Sequence, residues 1–160
     1  MKRKNIKNMN GQSILEITIA LALFAGLAVS LVVLALSGFS SLVRSRDIAR
    51  AGALAQEGIE AVRSIRDRDW SEFAYDRSGV EISGSSWVFM GEDTTETIGA
   101  FTRTIDFYPV YRNVSGQIVA AEDPGASADA SSTKVTVGVS WEIRPGTDET
   151  VERTTYFRAR

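Results

Sequence analysis

The chain has no cysteine and no histidine among its 160 residues, and only three prolines. The missing cysteine rules out a disulfide staple and a thiolate nucleophile. Together with the missing histidine, it removes the commonest zinc ligands and the commonest general base. No enzyme and no cofactor are therefore expected. Positive charge is scarce too: 18 Lys and Arg face 20 Asp and Glu, a formal net charge of −2. That balance argues against a basic nucleic-acid-binding face. No internal repeat is visible. Acidic clusters at Glu92-Asp93-Thr94-Thr95-Glu96 and at Glu122-Asp123 with Asp129 offer oxygen ligands of the kind calcium takes. Acid-rich surface loops are more often simply solvated, and no metal is expected. Trp87 and Trp141 read as core fillers rather than ligand contacts.

What the chain does have is one long apolar run. Ile17 to Leu36 reads ITIALALFAGLAVSLVVLAL, twenty residues interrupted only by Thr18, Gly26 and Ser30, and the uncharged stretch continues to Val43. At about 1.5 Å rise per residue, twenty residues span about 30 Å, the thickness of a bilayer's hydrocarbon core. A buried soluble helix of that length carries a polar face; this segment has none, so we read it as membrane-spanning. Glu16 is the only charge between Lys7 and Arg44. An ionisable group at the edge of an apolar span is costly, and its presence asks for a partner.

The flanks set the expected orientation. Residues 1–15 carry Lys2, Arg3, Lys4 and Lys7 and no acid, so this end should stay cytoplasmic and residues 44–160 should lie outside. Arg44 and Arg46 oppose that bias, offset in part by Asp47. A secretory signal peptide would share the basic start, with Ala35-Leu36-Ser37 as a conceivable cut, but its apolar region is usually about 7–15 residues. A plain single-pass anchor would leave Glu16 and Gly11 without a purpose.

The string Gly11-Gln12-Ser13-Ile14-Leu15-Glu16, after a short basic segment and before the apolar run, resembles the processing site of type IV prepilins and type II secretion pseudopilins. The resemblance covers roughly the first thirty residues after the leader and implies several things. Residues 1–11 would be a leader cut after Gly11 by a prepilin peptidase, which would also N-methylate the new terminus at Gln12. Glu16 would be the family's glutamate at the fifth mature position. The partners implied are that peptidase, membrane lipid before assembly, and other pilin subunits packed through helix 12–43; no nucleic acid is expected. The protein would sit in the cytoplasmic (inner) membrane with its C-terminal domain outside, then join a cell-surface filament. Two features depart from the usual pattern: Gln12 stands where a bulky apolar residue is common, and residues 17–43 contain no proline. A helix break there would have to fall at Gly26, Ser30 or Gly38. Loss of the leader removes four of the 18 basic residues, so 14 would face 20 acids, a net charge of −6.

The need for Glu16 follows from charge alone. Cleavage would create an α-amine with an ordinary pKa of about 7.7–8.0, largely cationic at neutral pH. In a staggered bundle of such helices that amine can meet a neighbour's Glu16. Two unit charges ~4 Å apart attract by roughly 4 kcal/mol at an effective dielectric of ~20, before desolvation is subtracted. Leaving either one unpaired among apolar helices is strongly unfavourable, so the pair sets register more than it adds stability. The bland alternative is an acid snorkelling at a helix start.

Beyond the span, Ile48, Ala51, Ala55, Gly58, Ile59, Val62 and Ile65 recur at spacings of three and four, one stripe of an amphipathic helix. Arg63 and Asp67 are placed for an i,i+4 pair, and Gly52 and Gly58 each weaken the helix by up to ~1 kcal/mol. One helix over about 12–67 is expected, ending near Asp67-Arg68-Asp69-Trp70-Ser71. The remainder reads as antiparallel strands. Val135, Val137, Val139, Trp141 and Ile143 alternate with polar residues, a loop covers 144–149, and Val151–Phe157 returns as partner strand. Phe101, Ile105 and Phe107 mark a strand over 99–108, which Arg103 interrupts. Segments 80–90 and 117–121 are weaker strands, and 122–133 reads as an exposed loop.

The expected fold is α+β and pilin-like: a long N-terminal α-helix, membrane-spanning in its first half, packed on a four-stranded antiparallel sheet. Its parts would be leader 1–11, transmembrane and assembly helix 12–43, amphipathic helix 44–70 and sheet domain 71–160. Three functions stay open: a minor pilin of a type IV pilus-like filament, of the pilus-modification type; a type II secretion pseudopilin; and a surface adhesin that never polymerises.

Overall fold

The structure, a computed structural model, describes residues 10–159, with side chains from Ile14 onward. The chain divides into two compact units between Arg46 and Asp47. One helix, α1 (Asn10–Arg68), runs without interruption through the apolar run and the amphipathic stretch. Gly26 and Gly38 do not break it, because nothing in residues 17–43 removes a backbone donor as proline would. Among the described residues this is the one helix long and apolar enough to cross a membrane, as a single-pass membrane protein requires.

The helix ends where polar side chains begin to compete for its backbone. Arg68 is its last residue, and Asp69 takes an extended conformation and caps a short 3₁₀ turn, Trp70–Glu72. The Asp69 carboxylate accepts from the backbone N–H and the hydroxyl of Ser71, both at 2.8 Å. In the last turns Arg63 turns back to Glu60 at 2.6 Å, and Arg66 holds Asp67.

Eight strands follow: β1 (Arg77–Ser78), β2 (Val80–Ser83), β3 (Ser86–Phe89), β4 (Glu96–Ile98), β5 (Phe101–Arg112), β6 (Ile118–Val119), β7 (Ser127–Arg144) and β8 (Thr147–Arg158). Six of them form the main antiparallel sheet rather than the four expected. Its path is β1-β5-β7-β8, with β4 and β6 also paired to β5, while β2 and β3 make a separate hairpin. The extra strands are two- and three-residue pieces too short to leave a period in the sequence.

In the unit from Asp47 onward, the helix stripe closes on one face of this sheet from Ala51; Ile48, the first residue of the expected stripe, is exposed instead. Ala51, Ala55, Ile59, Ala61, Val62 and Ile65 bury against Phe101, Ile105, Phe107, Val135, Val137, Val139, Trp141 and Phe157. Each large aliphatic or aromatic side chain so buried contributes roughly 1.5–3 kcal/mol relative to exposure. Phe73, just after the 3₁₀ turn, meets Phe89, Phe107 and Phe157 edge-on at 5.6–6.0 Å, which closes the far end of the core. Trp141 is buried as expected and Trp87 partly so.

Two expectations about the strands need correction. Ile143 is exposed rather than inward, because the β7–β8 register shifts between Glu142 and Arg144 and turns the last residues over. The stretch 122–133 is a loop only to Ala126; from Ser127 it is strand. Its alternation is hidden by an irregularity in the β5–β7 pairing, which jumps from Pro109↔Thr133 to Tyr111↔Ala128. Pro109 cannot donate to the ladder, and the Thr133 hydroxyl donates to the neighbouring Tyr108 carbonyl at 3.1 Å. The chain that bulges out is pinned by Asp129, which accepts from the Ser131 N–H and hydroxyl, the Ser132 hydroxyl and Arg112 Nε.

Candidate assembly helix

Every residue from Ile14 to Arg46 is solvent-exposed in the isolated chain. Large apolar side chains cover all sides of this helix; Leu21, Phe24, Leu27, Leu31, Leu34 and Phe39 are each about two-thirds exposed. A soluble helix does not leave such a surface uncovered. The surface suits lipid, or a bundle of similar helices, in which nothing polar is left to satisfy.

The polar groups within the span fit that setting, with one exception. Thr18 donates to the Leu15 carbonyl at 2.8 Å, Ser30 to the Gly26 carbonyl at 2.8 Å, and Ser40 to the Ser37 carbonyl at 2.9 Å. Hydroxyls that bond back to the preceding turn hide their polarity inside the helix. Glu16 cannot do this, since α1 leaves no backbone N–H free near it beyond the first turn. It is exposed, and among the described residues it meets no hydrogen-bond or ion-pair partner.

Of the other residues singled out in the sequence, Gly11 and Gln12 fall in the first turns of α1. The Gln12 side chain, and Lys2, Arg3, Lys4 and Lys7, lie outside the described residues. Gln12 and Glu16 are four residues apart on one helix, one turn or about 6 Å along the axis. The acidic clusters are largely committed to local structure. Glu92 accepts the backbone N–H groups of Asp76 and Arg77, Glu96 pairs with Arg103, and Asp129 pairs with Arg112. No group of three or more potential ligands gathers among the described residues.

The residue that sequence reasoning undervalued is Arg103. Rather than interrupting strand β5, it occupies an inward position between Phe101 and Ile105 with its side chain only 1 % exposed. Its guanidinium donates to Glu96 at 2.6 and 2.9 Å and to the Leu54 carbonyl of α1 at 2.8 Å, with Glu57 at 3.6 Å. One buried cation thus ties the amphipathic part of the helix to two strands. Gly58 makes room for it: a Cβ there would stand 3.1 Å from Arg103 Cδ and 2.8 Å from Val137 Cγ1. The signal in the sequence was an arginine in phase with three inward aromatic and aliphatic residues.

Comparison with protein-family models, curated proteins and solved structures finds no match to this chain.

Proposed function

We propose that this chain is a non-catalytic structural subunit, of the minor-pilin kind, in a type IV pilus-like filament. The observation that carries the reading is a carboxylate, Glu16, with no partner among the described residues, at the start of an uncharged apolar run that is exposed on every side. In this reading the leader is cut after Gly11 on the cytoplasmic side, and the α-amine of Gln12 becomes the missing cation. Within one chain that amine stands one turn from Glu16, so a lone subunit in the membrane can mask the charge. In a filament a neighbour's amine takes its place and fixes the axial offset between subunits. The apolar surface that contacts lipid before assembly packs against neighbouring helices afterwards, while the sheet unit faces outward.

The first test is N-terminal sequencing and mass measurement of protein extracted from membranes. A chain beginning at Gln12, with a mass 14 Da above the unmodified species if methylated, supports filament processing. A chain that keeps its basic residues 2–7 and stays a single-pass anchor contradicts it.

A further inference from the structure

The sheet face turned away from α1 carries the outward residues of the central strands. Near one end they form a row across three strands: Tyr108 on β5 lies opposite Lys134 on β7, which lies opposite Tyr156 on β8. Adjacent strands are about 4.8 Å apart, so the two phenol rings flank the lysine at roughly 10 Å from each other. Tyr108 and Tyr156 are about half exposed, where a ring in the core would be buried. Beside this row, Ile118, Val119, Ala120, Ala121 and Glu122 also line a groove of about 490 Å³. That volume falls in the range of about 300–1,000 Å³ typical of small-molecule sites.

The chemistry of the groove is uneven. Lys134 is the only lysine after Lys7 in the chain. Its ammonium lies 5.4 Å from the Tyr108 ring centroid, and among the described residues it has no carboxylate partner. Tyr108, Tyr111 and Tyr156 line the same space, with Glu122 as the one acid on its wall. A ligand that fits must offer a carboxylate to the ammonium and a flat row of C–H groups to the ring faces. Such C–H groups are weakly positive and meet the electron-rich face of a ring as a cation does.

We propose that this groove binds an acidic saccharide, one hexuronate unit placing its carboxylate on Lys134 and the units on either side of it stacking on Tyr108 and Tyr156. A peptide strand is the poorer fit, because strand addition takes place at a sheet edge and the groove lies on the face of β5, β7 and β8. A nucleic acid or an anionic membrane needs several cations, and the groove has one. The proposal does not depend on the filament reading, since it concerns only the unit beyond Asp47.

The test is a calorimetric titration of the full chain in detergent micelles with an oligogalacturonate, a neutral oligogalactose of equal length, and a poly-glutamate peptide. The expected result is saturable binding of the oligogalacturonate, at least tenfold weaker for the neutral sugar and for the peptide. Lys134→Gln should weaken it at least tenfold and Tyr156→Ala at least fivefold, with Tyr156→Phe close to wild type. Tyr156 is half exposed and Lys134 partly buried, and an unchanged melting temperature verifies that the variants fold. No saturable binding of the oligogalacturonate overturns the proposal. Equal affinity for poly-glutamate, or indifference to either Lys134→Gln or Tyr156→Ala, also overturns it.

Discussion

Gly58 lies inside a helix, where replacement by alanine ordinarily stabilises by up to about 1 kcal/mol. Here the sign should reverse. The new methyl would meet Val137 and the Arg103 stem inside contact distance, and both are held by the core. Gly58→Ala should destabilise the protein by about 1–3 kcal/mol, read as a lower urea midpoint by tryptophan fluorescence; a higher midpoint would disprove the close approach. Arg103 supplies a second asymmetry. Glu96→Ala leaves a buried guanidinium short of its main counter-ion and should cost about 3–5 kcal/mol. Arg103→Met leaves Glu96 and Glu57, which at 21 % and 50 % exposure still reach water, so it should cost less. An equal or larger loss for Arg103→Met in the same urea experiment would contradict this ranking. Asp129 makes the stability depend on pH. The Ser131 hydroxyl, then Arg112 and the Ser132 hydroxyl, hold its carboxyl well below the usual aspartate range. The unfolded chain therefore binds the proton first as pH falls. The stabilisation is complete above the ordinary aspartate pKa of about 3.9 and drains away as pH drops below it. Asp129→Asn should leave a flatter fall in melting temperature between about pH 4 and pH 2; a fall as steep as wild type would show that Asp129 does not drive it.

At the scale of elements, what was legible in the sequence was whatever repeats. Helix α1 announced itself twice, by an uncharged run and then by a three-four stripe from Ala51 to Ile65 that is buried throughout. Strand β7 announced itself by Val135, Val137, Val139 and Trp141, all buried. The structure departs from the reading wherever the period slips. The register shift near Ile143 and the bulge opposite Pro109 each move residues out of phase, so Ile143 turned outward and residues 127–133 passed for loop. Strands β1 and β4 owe their existence to pairing with β5 and have no local signature, whereas β6 falls within the weak strand read at 117–121. Arg103 was visible but read as a fault in the pattern, because a lone sequence does not say that Glu96 and the Leu54 carbonyl will be there to meet it. In the turn between β7 and β8, Gly146 has φ +77°, and its N–H donates to Glu142 at 2.8 Å. Gly146→Val should weaken this hairpin by about 1–2 kcal/mol through the left-handed strain. Faster amide exchange in Thr147–Val151 is the expected signature, and unchanged exchange would count against it.

At the scale of the whole molecule, the two units have opposite surfaces. The part before Asp47 exposes apolar side chains in every direction, whereas the part after it buries a compact core beneath a polar sheet face. A chain of this kind needs a second environment for its first unit, lipid or other helices. Glu16 is the charged side chain of that span among the described residues, and the proposed reading gives it a neighbouring subunit's amine, which lipid does not supply. The most direct measurement is therefore incorporation of Glu16→Ala into filaments sheared from cells, set against its abundance in the membrane. The account predicts a variant trimmed and inserted as well as wild type, yet absent from the sheared fraction. Recovery of Glu16→Ala in filaments at the wild-type proportion would contradict it.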